Sequence, residues 1–314
     1  MLALGASSVA QDWEKQHPVP DFAPLHDEAD WHPWQWRAKV TRYSAGGFEL
    51  SLHLRDRERA KASWEKYGGF GAPRKFRAVG EAPDPDNLKR ARYRRRTAVR
   101  QLSREKCSSH LLTLTTREKE NTRDSILASW ARFLRLYERA WGARLDFIAV
   151  LELHPSNLGH VHLHAAVTSY IPVQRLRRLW YIALGGRGNE RGASTPGGVN
   201  MKYIAAKNPA RRSARIAKYI SGYMTKETAL EFNKKAYSSS RGSVPESEGW
   251  WLSLDGLAPN SLNAALSELG RLFGLTLTPE DAYLFPSGRG AHFSHVPGDA
   301  QGAVGKWYGD PPPF

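Results

Sequence analysis

Apolar and polar positions along the chain change their period several times, and each change marks an element. From Trp36 to Leu54 the strand-type residues Val40, Tyr43, Phe48, Leu50 and Leu52 flank Ala45-Gly46-Gly47, which predicts a β-hairpin. His110–Thr116 (HLLTLTT), Phe147–Leu153 (FIAVLEL), His160–Val167 (HVHLHAAV) and Val199–Ile204 read as strands from their β-branched content and short apolar runs. Asp124–Ala140 repeats at helical spacing instead, with Ile126, Trp130, Phe133, Leu134 and Tyr137 on one face. Val173–Leu184, Ala214–Phe232 and Ser261–Phe273 are also predicted helices, and Gly185–Gly188 is a loop. Strands and helices in this order predict an α+β fold, a central antiparallel sheet with helices against one face. The first 35 residues have no period and read as an irregular arm; Ser239–Glu248 reads as a polar linker and Pro297–Phe314 as loose chain. Pro83–Pro85 is a break. The chain therefore divides into an N-terminal extension with the hairpin (1–87), a central domain (88–235) and a C-terminal linker with a helical extension (236–314).

Charge sharpens this picture. The 314 residues carry 46 Lys and Arg against 31 Asp and Glu, a formal charge of +15, so a polyanion is the natural partner. Lys89 to Arg100 holds seven basic residues and no acid, on a predicted helix whose Tyr93 and Val99, with Leu102 beyond, pack one side. Arg92, Arg94, Arg95 and Arg96 are its candidate phosphate contacts, and Lys218 another. The single cysteine, Cys107, rules out an internal disulfide and a Cys-based zinc site. No stretch approaches the roughly 20 apolar residues of a membrane span, and the N-terminus lacks the basic region of a secretory signal, so a cytoplasmic protein is expected.

The chemistry concentrates at two places. His160, His162 and His164 alternate along one strand and share a face, while Val161 and Leu163 turn to the core. Glu152 lies on the preceding strand, joined through a turn-rich segment that lets the two pair as a hairpin. An acid within an apolar strand calls for a partner or an ion. Two imidazoles and a carboxylate with open positions suit Mg²⁺ or Mn²⁺ bound with a phosphate, whereas three imidazoles would suit zinc. Tyr219, Tyr223 and Lys226 fall on one face of a predicted helix, and Lys202–Lys218 before them holds six basic residues and no acid. A phenol is a poor nucleophile near neutral pH, but beside a metal-neutralised phosphate it can attack and keep a 5′-phosphate.

Three segments carry a family resemblance: Leu111-Leu112-Thr113-Leu114-Thr115; Glu152, then Gly159, then His162-Leu163-His164; and Tyr219, Tyr223 with Lys226. In this order they resemble the HUH endonuclease superfamily, in particular the replication initiators of single-stranded DNA phages and rolling-circle plasmids. The resemblance covers about residues 88 to 230. It implies an antiparallel sheet carrying the histidines, a helix carrying the tyrosines, Mg²⁺ or Mn²⁺, and a single-stranded DNA origin held as a covalent 5′ adduct. Gly159 favours His162 and His164 as the metal pair, with His160 and His162 as the other register. Position 222 is Gly where related phage proteins often have Lys. No phosphate-binding Gly-Lys-Ser/Thr loop is found, as Gly305-Lys306 is followed by Trp307, so unwinding and synthesis would fall to a host helicase and polymerase. A relaxase or transposase of the same chemistry remains a rival reading, as do a zinc hydrolase and a non-catalytic nucleic-acid-binding sheet, which would display stacking aromatics instead.

Overall fold

A computed structural model describes residues 34–56, 62, 85–117, 122–154, 157–225, 236–242, 244–252, 254, 261–273, 275–277, 283–284 and 290–296. The chain divides into two compact units, one formed by its two ends and the other by Pro85–Val244. The fold is α+β, with an antiparallel five-stranded sheet in each unit.

In the terminal unit, β1 (Trp34–Arg42) and β2 (Phe48–Asp56) form the predicted hairpin, in register from Trp34 opposite Asp56 to Arg42 opposite Phe48. Gly46 and Gly47 both take φ of 86° in its turn, a left-handed conformation that side chains disfavour. β8 (Ser247–Trp251) pairs with β1, while β10 (Gly290–His295) pairs with β2 and with β9 (Tyr283–Leu284). Trp36, Phe48, Leu50, Leu52 and Phe293 bury one side of this sheet with Leu266, Leu269 and Phe273 of α5 (Leu262–Phe273). The segments read from sequence as separate N- and C-terminal extensions thus share one sheet.

The Pro85–Val244 unit has strand order β6-β3-β5-β4-β7, every neighbouring pair antiparallel. These are β3 (His110–Thr116), β4 (Phe147–His154), β5 (Asn157–Val167), β6 (Gly197–Tyr203) and β7 (Tyr237–Ser239). Helices cover both faces rather than the one predicted, because β4 and β5 are apolar on both sides. α2 (Arg123–Trp141) and α3 (Val173–Ala183) pack Ile126, Phe133, Leu176 and Trp180 on Leu112, Val161, Leu163 and Ala165. On the opposite face, Val99 of α1 (Pro85–Glu105) and Ile216 and Ile220 of α4 (Pro209–Gly222) meet Ile148, Val150 and Ala166.

Local chemistry sets the helix ends. α2 opens on a reciprocal Thr122–Ser125 capping box and stops at Gly142, left-handed at φ 66°. α4 begins earlier than the sequence pattern indicates. Asn208 caps it by accepting from the Arg211 amide, and Pro209 sits in the first turn, where its missing N–H costs nothing. The helix ends at Gly222, and Tyr223–Thr225 tightens into a 3-10 turn. The rest of the predicted span, 226–232, lies outside the described residues. The linker read at Ser239–Glu248 begins at the end of β7 and runs into β8.

β6 enters the sheet through Gly197, opposite Thr116. A Cβ there would run into the Thr115 carbonyl oxygen and come within 2.8 Å of Leu184 Cδ1, whereas one at Gly222 would meet nothing within 4 Å. The Thr115 carbonyl is held by the Trp180 indole N–H at 2.8 Å, so it has little freedom to retreat. Gly197→Ala is therefore expected to cost about 1–3 kcal/mol, lowering the thermal midpoint by several degrees, while Gly222→Ala leaves it nearly unchanged. Thermal unfolding followed by circular dichroism reads both.

Candidate metal and tyrosine site

The β4–β5 hairpin assembles the first half of the site. Glu152 stands directly across from His162, and Val150 from His164. Cross-strand partners share a face, so Glu152, His162 and His164 emerge together on the α1/α4 side, while Leu151, Val161 and Leu163 enter the other core. One ligand atom from each of Glu152, His162 and His164 lies within 4.8 Å of the others. The His162 and His164 ring centroids are 6.3 Å apart. His160 is on β5, but its side chain lies outside the described residues. The grouped pair is His162 and His164, the register that the glycine turn favours.

His164 is fixed at both nitrogens. Nδ1 lies 3.1 Å from Thr113 Oγ1, and Nε2 lies 2.9 Å from Glu152 Oε2. Its side chain is 7% exposed and that of Glu152 11%, so water does little to screen the contact. When Nδ1–H donates to Thr113, Nε2 presents a lone pair to a carboxylate oxygen, and two acceptors at that distance require a cation between them. A proton serves, and so does a metal ion. Oxygen and nitrogen ligands about 2.1 Å from a divalent ion stand at about this separation when adjacent. With a second imidazole in reach, the donor set fits a divalent metal. Thr113 is the residue that sequence reasoning leaves without a role. It lies in the Leu-Thr-Leu-Thr strand, but only the pairing of Thr113 with His164 across β3–β5 reveals its function.

The second half is built on α4. Tyr223 is buried, and its ring stacks on that of His164 with centroids 4.4 Å apart and planes 7° from parallel. Its hydroxyl donates to the Tyr219 hydroxyl at 2.6 Å, one helical turn back. Tyr219 is 53% exposed. Burial raises the Tyr223 pKa well above the ordinary phenol value, and the hydrogen bond to Tyr219 and the charge of Glu152 push it the same way. Tyr223 is thus a neutral donor and Tyr219 the acceptor that faces solvent. Lys226 lies outside the described residues. Gly222 is half-buried with open space above its Cα, so the absence of a lysine there creates no gap in packing.

The basic residues divide by exposure. Arg94 and Lys218 are exposed, Arg92 and Arg95 half-buried, and Arg96 is buried at 8%. Burial, then the nearby Arg123 and Arg94 guanidiniums, lower the Arg95 pKa, a sign of crowded cations. The α1 run therefore offers Arg94 most openly to a phosphate, and Arg96 least.

With this geometry in place, the chain can be compared with known proteins. Residues 109–228 match a family model described as Replication-associated protein, of the ORF2 type. The matched span takes in Thr113, Glu152, His162, His164, Tyr219 and Tyr223. It ties this part of the chain to DNA replication and supports a role in its initiation. No curated protein and no solved structure matches the chain significantly. Among the described residues, no helix is long and apolar enough to cross a membrane.

Divalent cation is expected to raise the thermal midpoint, because a ligand bound only to the folded state stabilises it. Glu152→Ala should abolish that rise. Thr113→Val should weaken the cation affinity by about 10- to 100-fold through loss of the His164 orientation. Isothermal titration with Mn²⁺ measures both, and an unchanged affinity in Thr113→Val would exclude the orienting role.

Proposed function

We propose that the Pro85–Val244 unit is a metal-dependent single-strand DNA nickase that starts rolling-circle replication and holds the cut strand on a tyrosine. The observation that carries this reading is the stack of Tyr223 on His164, which puts the paired phenols against the Glu152–His162–His164 cluster. The replication-associated family match over the same residues favours an initiator over a relaxase or transposase of like chemistry.

Glu152, His162 and His164 would hold Mg²⁺ or Mn²⁺, which neutralises a phosphate oxygen and lowers the barrier to in-line attack. Tyr219 is the first nucleophile in this scheme, being the exposed phenol. The Tyr223 hydroxyl donates to the Tyr219 oxygen and so stabilises it as its own proton leaves to solvent. A bond forms between the Tyr219 oxygen and phosphorus, the bond to the 3′-oxygen breaks, and that oxygen departs as a hydroxyl. The 5′-phosphate stays on the tyrosine, so the phosphodiester energy is conserved and a 3′-hydroxyl can later reverse the step without ATP. Tyr223, one turn further on, is placed to take a strand in a second transfer. Exposed Arg94 and Lys218 supply charge to the backbone of the bound strand.

A randomised single-stranded oligonucleotide pool incubated with Mg²⁺ or Mn²⁺ should yield a protein-linked product on a denaturing gel, mapped by mass spectrometry to Tyr219. Tyr219→Phe should lower that product by at least about 100-fold, and the Tyr219→Phe/Tyr223→Phe pair should remove it. Cleavage without any protein-linked strand would eliminate tyrosine catalysis.

A further inference from the structure

Two large aromatic side chains stand in solvent at the far end of the same sheet. Tyr170, just past β5, is 63% exposed, and Tyr203, at the end of β6, is 49% exposed. Both rest on one buried ring, His110 at the start of β3, with centroid separations of 5.8 and 5.1 Å. The Ser109 hydroxyl holds the His110 Nδ1 at 2.7 Å, so the floor of this cluster is fixed. The Arg212 guanidinium lies over the Tyr203 ring, 4.7 Å from its centroid.

Scattered apolar side chains on a surface are ordinary. Here two rings share one support and adjoin a row of cations. α4 carries Arg211, Arg212, Arg215 and Lys218 with no acid, and Arg215 and Lys218 are exposed. Arg212 precedes Tyr219 by seven residues, which sets the two on the same side of the helix about 10 Å apart. Aromatic faces beside a track of positive charge are the means by which proteins hold single-stranded nucleic acid, since every base has a π-face and every linkage a negative charge.

We infer that Tyr170, Tyr203 and Arg212 form a base-stacking platform for single-stranded DNA, which anchors the strand about two helical turns from the Tyr219 phenol. The platform rests on the nickase reading for the polymer it names. It adds a contact to bases where that reading has contacts only to phosphate and metal. The rings supply affinity with little dependence on sequence, and Arg212 supplies a charge that is lost as salt rises.

The test is anisotropy of a fluorescein-labelled, mixed-sequence 20-nucleotide single strand with the full chain in EDTA, so that no cleavage intervenes. Tyr170→Ala/Tyr203→Ala should weaken binding by roughly fivefold or more per ring with an unchanged salt slope. Tyr170→Phe/Tyr203→Phe should bind within about twofold of the parent, because the π-faces remain. Arg212→Gln should reduce the salt slope by about one. A 2-aminopurine base scanned along the strand should be quenched at the anchored position by the parent protein. Parent-like binding by the alanine pair, or no quenching at any position, overturns the platform while leaving the nickase reading intact. Equal binding of a duplex, equally lost in the alanine pair, overturns the single-strand assignment. No binding by the parent protein removes both readings together.

Discussion

The register of β4 against β5 governs the site in the Pro85–Val244 unit. Because side chains alternate along a strand, a slip of one residue would turn His162 and His164 into the α2/α3 core and bring Val161 and Leu163 to the α4 side. Two buried clusters on opposite faces oppose that slip, since Leu163 is 1% exposed on one side and Val150 1% on the other. The close approach of Glu152 and His164 is thus sustained by apolar packing that touches neither polar group. A carboxylate and an imidazole at 2.9 Å add little net stability once their desolvation is counted, so the arrangement is better explained by what it holds than by what it contributes to folding.

How much of this was legible in the sequence depended on how far each feature reached along the chain. The α2 face of Ile126, Trp130, Phe133 and Tyr137 is a local period and appears as read. So does the hairpin that sets Glu152 opposite His162, where a short turn fixes the pairing. Thr113 beside His164 depends on strands separated by α2 and β4, and no local pattern encodes it. The sharing of one sheet by β1, β2, β8 and β10 is more distant still. β8 has the sequence SEGWW, which looks like linker because its partner β1 supplies the reason for it to be extended. Helices on both faces follow from a near-continuous apolar run in β4, a pattern of strands buried on both sides that is easily taken for simple hydrophobicity.

The two phenols illustrate how one spacing yields two environments. They are four residues apart and joined by a hydrogen bond, yet one is buried against an imidazole and the other stands half in water. The change from α4 to a 3-10 turn falls between them, at Gly222–Tyr223. Burial on one side of that change keeps Tyr223 protonated, and its proton is what the Tyr219 oxygen receives. The asymmetry is a property of the packing of α4 on the sheet, for the residue type is the same at both positions.

Strands from the two ends of the chain pair with each other, which makes Pro85–Val244 a guest inserted within the sequence of a host. The guest's own strands borrow nothing from the host sheet, since each sheet draws its five strands from one unit alone. Trimming the carboxyl end would strip β8 and β10 from the hairpin and leave both its edges open to unintended strand addition. The sheet with the histidines would keep all five of its strands.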